Sequence, residues 1–425
     1  MRCLKGVACA AALLLPVMAG AASNASAASN ASAASNAGAV SDDVVRIAVI
    51  NDRSGPYSDF NGEGSVVAAR LAIADFGPTV LGHPIDLISG DHQNKPDVGI
   101  GLARRWMDTD GVDMMVDFGN SAVSLAVQDL TQGKRVAIHV ASASDALFGA
   151  KCSPTGFLWN YDTTAIANAI GKSAVEAGGE SWYFITADYA FGHAMEKQLT
   201  TVIEKAGGKV LGHVRHPVGN TDFSSFLLQA QASGAKMVAV LNAGEDTTNT
   251  IKQAAEFGLV DAGQKLAGTT FYILNVHGLG LEAAQGLQVV TPFYWDRNDA
   301  SREFTRRWRE AMNTDRAPTH PQAGVYSAVL AYLRAIEAAG TDEAMAVSAR
   351  MKQLPVDDFY GENSRIREDG RLMKDMFLVE VKSPADSTGP WDYYKVLAQM
   401  PADEIIRPMS EGGCPFVGKA AAAGS

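Results

Sequence analysis

The chain has 425 residues, 47% of them apolar and 20% charged, which is enough to build two domains around sizeable cores. Its formal net charge of −11 argues against nucleic acid, because neutralising phosphates needs a basic surface. The same balance offers nothing to an anionic membrane face.

Residues 1–21 read as a secretory signal. Two positive charges precede an apolar run too short for a membrane span, and Ala19-Gly20-Ala21 fits small-x-small cleavage. Cys9 lies before the core of that run, which argues against a lipoprotein. Residues 22–43 are a low-complexity leader that repeats SNASA and cannot bury a core. Its SNAS triplets match a glycosylation acceptor and are given little weight. Of the four cysteines, Cys3 and Cys9 fall in the signal, so Cys152 and Cys414 remain. An exported chain with two cysteines most often pairs them, and closing so long a loop favours the folded state in the chain-entropy model. Two free thiols are the alternative.

Val44–Ile50 is the first buried strand, ending in a Gly/Pro turn through Tyr57 and followed by a helix through Val67 and Leu71. Strand Ile85–Ser89, helix Val98–Asp108, strand Val112–Phe118, helix Ala122–Leu130 and strand Val136–Val140 follow. That alternation is the signature of a parallel sheet with helices on both faces. The grammar then repeats. Strand Trp182–Thr186 leads to a helix whose stripe is Phe191, Met195, Leu199, Val202 and Ala206. Next come strand Lys209–Val214, a helix N-capped by Asp222, strand Met237–Leu241, helix Glu245–Phe257 and strand Leu266–Tyr272. Two similar α/β lobes are the simplest reading. The tail adds strand Gly286–Thr291, helices Ser301–Met312, Ala323–Ala338 and Glu343–Gln353, and a β-pair of Arg365-Ile366 with Asp375–Val381 around the Asp369-Gly370 turn. These pieces are too few for a third domain and complete the two sheets.

No nucleophile elbow, phosphate loop, HExxH pair or CxxC occurs. Gly278-Leu279-Gly280 lacks the third glycine of a dinucleotide fingerprint and reads as a turn. The DFG at Asp117–Gly119 has no kinase context. His213 and His216 have strand-exposure spacing without a third ligand, and His92 and His139 lie near strand ends, so structural histidines are the commoner explanation. No metal site and no cofactor are expected. The polar and aromatic groups gather at strand ends: Asn51, Tyr57 and Phe60; Asp91 and His92; Asn120 and Ser121; Ser142 and Ser144; Asp188 and Tyr189; Asn242, Glu245 and Asp246; Asn275. Neutral donors and helix N-termini suit a carboxylate, and aromatic walls suit a small organic body. Taken singly, each Ser, Asn or Asp is as readily a cap or turn residue.

The stretches RIAVINDRSGPYSDFNGEG, DHQNKPDVGIGLARRW, VDFGNSAVSLAV, SWYFITADYAFG, NTDFSSFLLQAQASGA and PWDYYKVL…GGCPF resemble the type I periplasmic solute-binding proteins of ABC importers, in the group of the leucine/isoleucine/valine-binding protein. The resemblance runs from about Val44 to Val417. It implies two Rossmann-like lobes with parallel sheets, joined by a three-stranded hinge, that close on a ligand. The lobes would be 44–162 with 293–362, and 163–292 with 363–417. By the same resemblance the ligand carboxylate falls to Ser121, Ser142 and Ser144, the first-lobe aromatic to Tyr57 or Phe60, and the second-lobe aromatic to Tyr189.

Asn120, Asn242 and Asn275 complete the ligand set. Asp188 reads as a helix cap. Amino-acid binders of the family hold the ammonium with a second-lobe acid, whereas the matching loop Tyr272–Asn275 has none, although Glu245 or Asp246 could substitute. With the TADYAFG and DHQNK wording, this favours an aromatic acid such as a hydroxybenzoate or hydroxycinnamate. A branched-chain amino acid or amide is the alternative. Implied partners are the permease subunits of an ABC importer, for a monomer working in the periplasm without enzymatic activity. A ligand-sensing subunit of a membrane signalling system is the competing partner assignment. A hydrolase or dehydrogenase is disfavoured by the absent motifs.

Overall fold

The computed structural model describes residues 40–418 except Ala177 and Asp261. The signal, Cys3, Cys9 and all of the leader before Val40 lie outside the described residues.

The first sheet grows around β1 (Val45–Asn51), whose alternation decides its two faces. Val45, Ile47 and Val49 enter one hydrophobic core, and Ala48 and Ile50 enter another. This is the period-2 signature of a strand covered on both sides. Around it lie α1 (Gly62–Phe76), β2 (Thr79–Val80), β3 (His83–Asp91), α2 (Pro96–Asp108), β4 (Met114–Asp117), α3 (Ser121–Thr131), β5 (Val136–His139) and β6 (Gly156–Leu158). The strand order is β2-β3-β1-β4-β5-β6, parallel apart from the β2–β3 pair.

The second unit comprises α4 (Thr163–Glu176), β7 (Ser181–Ala187), α5 (Ala190–Lys205), β8 (Lys209–His216), α6 (Ser224–Ala232), β9 (Met237–Leu241), α7 (Glu245–Glu256), β10 (Lys265–Gly268), α8 (Ile273–Leu279) and α9 (Leu281–Ala284). Its parallel sheet runs β10-β9-β7-β8. Trp182 and Phe184 of β7 pack into one core and Ile185 into the other, as in β1. Ignoring the short β2, both sheets place their first strand between the second and the third. In such doubly wound sheets ligands bind outside the carboxyl ends of the strands, where the order reverses. The reversals lie between β1 and β4 and between β7 and β9.

The remainder is β11 (Gln288–Thr291), α10 (Asp299–Met312), α11 (His320–Ala339), α12 (Ala344–Gln353), β12 (Arg365–Ile366), β13 (Leu372–Met373), β14 (Met376–Val381), β15 (Tyr394–Met400) and α13 (Ala402–Ile405). The chain passes between the two cores three times. Phe157 and Trp159 pack with the first core while Leu158 and Tyr161 pack with the second; Phe293 enters the first core after Val290 has packed against the second; Leu372 belongs to the first and Met373 to the second. Arg371 and Asp162 form an ion pair at 3.0 Å, both side chains fully buried, where two of these passages meet. The protein is an α/β structure of two parallel-sheet lobes.

Several expectations need correction. Arg365-Ile366 pairs with Leu372-Met373 around the Asp369-Gly370 turn, while β14 pairs with β11 and β15. The D-G turn is too tight to bring in a strand starting at Asp375. The strand expected to reach Tyr272 stops at Gly268, and residues 273–279 are helical, because Asn275 Oδ1 accepts from the Tyr272 N–H (2.6 Å) and starts α8. Gly278 and Leu279 therefore close a helix. The cap of α6 is Phe223, although the Asp222 carboxylate still accepts from Ser224 N–H at 2.9 Å. Tyr189, and not Asp188, caps α5, while Asp188 bonds exposed His193 at 2.7 Å. His216 is buried at the end of β8, packed against Phe223 and Phe226 and bonded to Asn242. Strands β6, β13 and β15 and helix α4 were not foreseen.

Candidate functional site

The cleft is built from loops at the carboxyl ends of both sheets. After β1, buried Asp52 turns the chain by accepting from the N–H groups of Gly55 (2.7 Å) and Tyr57 (2.9 Å). The start of α11 braces the same loop, with the Thr319 hydroxyl donating to the Phe60 carbonyl at 2.5 Å. Tyr57 and Phe60 are thereby aimed across the cleft. After β4, Asp117 and Phe118 take φ of 91° and 74°, followed by Gly119 at 58°. Left-handed backbone at two residues with side chains costs about 1–3 kcal/mol each and concentrates at working sites. Here it folds the chain back so that Asn120 and Ser121 open α3.

Aromatic rings from both lobes meet. The Tyr57 hydroxyl donates to that of Tyr189 at 2.9 Å. Phe60 stacks on Tyr272 with centroids 4.4 Å apart and planes 11° off parallel. The hydroxyls of Tyr272 and Tyr161 bond at 2.6 Å, and the His320 ring sits 4.8 Å from both of their rings. Gly244 makes this approach feasible. Its φ is +63°, and a Cβ there would lie 2.9 Å from the Pro56 carbonyl oxygen and 3.2 Å from the Tyr57 ring. Burial, reinforced by neighbouring phenols, pushes Tyr57 and Tyr272 well above the ordinary phenol range; burial also raises Tyr189 and Tyr161. All four stay protonated; the Tyr57 proton is given to Tyr189, and one phenol of the Tyr161–Tyr272 pair donates to the other. Burial holds His320 well below the usual imidazole range, so the ring is neutral, and its Nε2 is buried without a hydrogen-bond partner.

The structure brings Tyr57, Phe60 and Tyr189 together, with Ala141 beside them in the same cluster. Ser142 follows Ala141, and its hydroxyl bonds that of Ser124. Ser121 Oγ accepts from Ala143 N–H at 3.4 Å. Ser144 is buried, and its hydroxyl has no hydrogen-bond partner among the described residues. The three asparagines are committed internally. Asn120 caps α3, accepting from Ala122 and Val123 N–H, and donates to Asn94. Asn242 bonds Thr247, Thr250 and His216 within the second lobe. Asn275 starts α8 and donates to the Gly244 carbonyl at 2.9 Å, holding that loop against the cleft.

Glu245 is exposed, whereas Asp246 is buried. Burial raises the Asp246 carboxyl to about 7; Oδ2 accepts from Gly219 N–H at 3.0 Å, and Oδ1 is buried without a partner. Its charge adds to the upward push on the Tyr57 and Tyr189 phenols. Sequence reasoning missed Tyr161, Tyr272 and His320. Tyr161 lies on a passage between lobes, Tyr272 was read as strand, and His320 opens a helix expected to start later. A His-Pro pair after Thr is a helix-start signal that could have pointed to His320.

Two facing sheet edges with aromatic walls and serine hydroxyls give the geometry of a two-lobed binding cleft. Residues 44–389 match the family model described as periplasmic binding protein, and the chain belongs to that family, the solute receptors of ABC transporters, which bind and do not catalyse. It is similar to a periplasmic binding protein from Burkholderia mallei, with 44% identity, a TM-score of 0.86, and 88% of this chain and 99% of that one covered. A branched chain amino acid ABC transporter periplasmic ligand-binding protein from Burkholderia xenovorans LB400 is 38% identical, with a TM-score of 0.77 over 88% and 99% of the two chains. Leu/Ile/Val-binding protein homolog 6 of Brucella melitensis biotype 1 is 26% identical over 355 residues, 81% of this chain and 90% of the relative. Among the described residues, no helix is long and apolar enough to cross a membrane.

Proposed function

We propose that the protein captures a small hydrophobic carboxylate, an aromatic acid such as a hydroxybenzoate or hydroxycinnamate, between its lobes, and presents the closed form to the permease of an ABC importer in the periplasm. The observation that carries this reading is the convergence of Phe60 and Tyr57 on Tyr272 and Tyr189 across the cleft. A flat ring inserted among these faces gains apolar burial and offset stacking. Its carboxylate finds neutral donors in the hydroxyls of Ser121, Ser142 and Ser144, and a ring hydroxyl finds His320 Nε2. Asn120, Asn242 and Asn275 hold the loops that carry these groups.

The lobes are taken as 44–162 with 293–362 and 163–292 with 363–417. Because Ile366 and Leu372 pack in the first core, we move the last boundary to just after Leu372. The chain works as a monomer exported by its signal.

A second reading, an aliphatic amino acid, is favoured by one observation: the buried Asp246 Oδ1, without a hydrogen-bond partner among the described residues and two residues beyond the Gly244 that meets Pro56, which would receive an ammonium. The names of the relatives point the same way. A thermal-shift panel of aromatic acids and aliphatic amino acids separates the two. A ligand at 100 times its dissociation constant adds about 2.7 kcal/mol of stability. Aromatic acids should raise the melting temperature equally in wild type and Asp246→Asn. A response to amino acids alone, lost in Asp246→Asn, would establish the second reading instead.

A further inference from the structure

After β15 the chain leaves the second lobe and returns to the first. Ala402, Ile405 and Ile406 are still packed in the second core, and the Asn168 amide of α4 donates to the Ile405 carbonyl at 2.8 Å. The next residue, Arg407, pairs with the Asp145 carboxylate at 2.6 Å and donates to the Asp145 carbonyl at 2.8 Å. Further on, Cys414 comes to a Cα–Cα distance of 5.6 Å from Cys152, within disulfide reach.

Asp145 opens the single helical turn Asp145–Phe148, directly after Ser144. Gln128 of α3 holds this turn to the first lobe, its amide donating to the carbonyls of Leu147 (3.1 Å) and Lys151 (2.5 Å). The Asp145 carboxylate, by contrast, is satisfied from the second lobe. Its Oδ2 accepts from Arg407 and from Gln198 of α5 (2.8 Å), and its Oδ1 accepts from the Thr163 hydroxyl at the start of α4 (3.3 Å). The side chains of Asp145 and Arg407 are each 13% exposed, so salt screens the pair only weakly. The guanidinium lies 4.5 Å from the centroid of the buried Phe148 ring. Gly149 leaves room for this seat: a Cβ there would collide with Arg407 Nη2 and stand 2.8 Å from the Gly412 carbonyl oxygen.

We propose that Asp145 is the closing latch of the two lobes, gripped by Arg407 and Gln198 when they shut. Opening carries the Asp145–Phe148 turn away from α5 and from Arg407 and strips the carboxylate of those donors. Thr163 stands at a passage between the lobes and moves least. The tether at Cys414 keeps Arg407 close to Asp145, so the pair re-forms at a raised effective concentration. Because Asp145 follows Ser144, a carboxylate seated on that serine steadies the turn that carries the latch. The latch presupposes the lobe closure proposed above and is indifferent to which ligand is taken.

Small-angle X-ray scattering on the mature, ligand-free protein, with melting temperature measured alongside, tests the latch. Asp145→Asn and Arg407→Gln should each give a larger radius of gyration than wild type, and Gln198→Ala a smaller shift in the same direction. The double variant Asp145→Asn with Arg407→Gln should expand no further than the larger single one, since both remove one contact. Arg302→Gln, which breaks exposed ion pairs with Asp296 and Asp299 in the first lobe, is the control and should leave the radius unchanged. Radii identical to wild type in Arg407→Gln and Gln198→Ala overturn the latch, and so does a lowered melting temperature without expansion, the mark of a merely structural pair. With no ligand present, a wrong ligand class leaves these radii as they are, so the two proposals fail separately.

Discussion

At the scale of single residues, Ser142 and Ser144 are not equivalent, because only the Ser142 hydroxyl is bonded within the protein. Ser144 has no partner to lose, so Ser144→Ala should leave the unliganded melting temperature unchanged while costing about 1 kcal/mol or more of binding, fivefold or greater in affinity, since a hydrogen bond to a charged group is worth about 1.5–3 kcal/mol. Ser142→Ala also strands the buried Ser124 hydroxyl, at about 1–3 kcal/mol of stability. Thermal melts and titrations of the two variants check this, and equal behaviour would refute the distinction.

Asp117, behind the cleft, gives a pH prediction. Burial raises its carboxyl from the ordinary 3.8 to about 7. Between those values the folded state holds the proton more tightly than the unfolded one. Its contribution is therefore present in full below about pH 4 and is lost as pH climbs to 7. His139, pushed down to about 3 by burial, acts oppositely as pH falls below 6.5, so the measurement must be a difference. From pH 4 to pH 7, Asp117→Asn should gain stability relative to wild type in denaturant melts. Parallel profiles would contradict the assignment.

At the scale of elements, close approach at glycines decides what can move. Gly244 lets the loop after β9 slide against Pro56 and Tyr57. Gly244→Ala adds left-handed strain of about 1–2 kcal/mol and a clash that exists only when the lobes meet. Ligand affinity should therefore fall by more than stability does, as titration and melting on the same variant will show. Proportionate losses would remove Gly244 from the closing surface.

The elements also show what a sequence can disclose. β1 and β7 were legible because each buries both faces, and their alternating residues sort cleanly into separate cores. Tyr57, Phe60 and Tyr189 were legible because they follow such strands. Tyr161, Tyr272 and His320 were not, because a hinge passage, a short helix and a helix start come together only in three dimensions. Asn120, Asn242 and Asn275 show the converse. Each stands at a strand end, yet backbone and neighbouring groups already use its amide, the cap-and-turn role open to any such residue.

At the scale of the whole molecule, the lobes are joined by three passages of the chain and by a C-terminal segment that returns to the first lobe. Cys152 and Cys414 sit with Cα atoms 5.6 Å apart across a sequence separation of 262 residues. Non-reducing mass spectrometry should find them joined. Reduction should lower stability by up to about 5 kcal/mol on the chain-entropy view. The Arg407–Asp145 ion pair at 2.6 Å crosses beside them and should keep the segment docked after reduction.

The central claim is that a small carboxylate binds between the lobes among Tyr57, Phe60, Tyr189 and Tyr272. Calorimetric titration of the responding ligand class into wild type and Ser144→Ala, at several temperatures, tests it most directly. The account predicts one site per chain, a negative heat-capacity change from apolar burial as the rings enclose the guest, and weakened binding in Ser144→Ala at unchanged stoichiometry. Saturable binding with a heat-capacity change near zero and the same affinity in Ser144→Ala would place the ligand elsewhere and contradict the account.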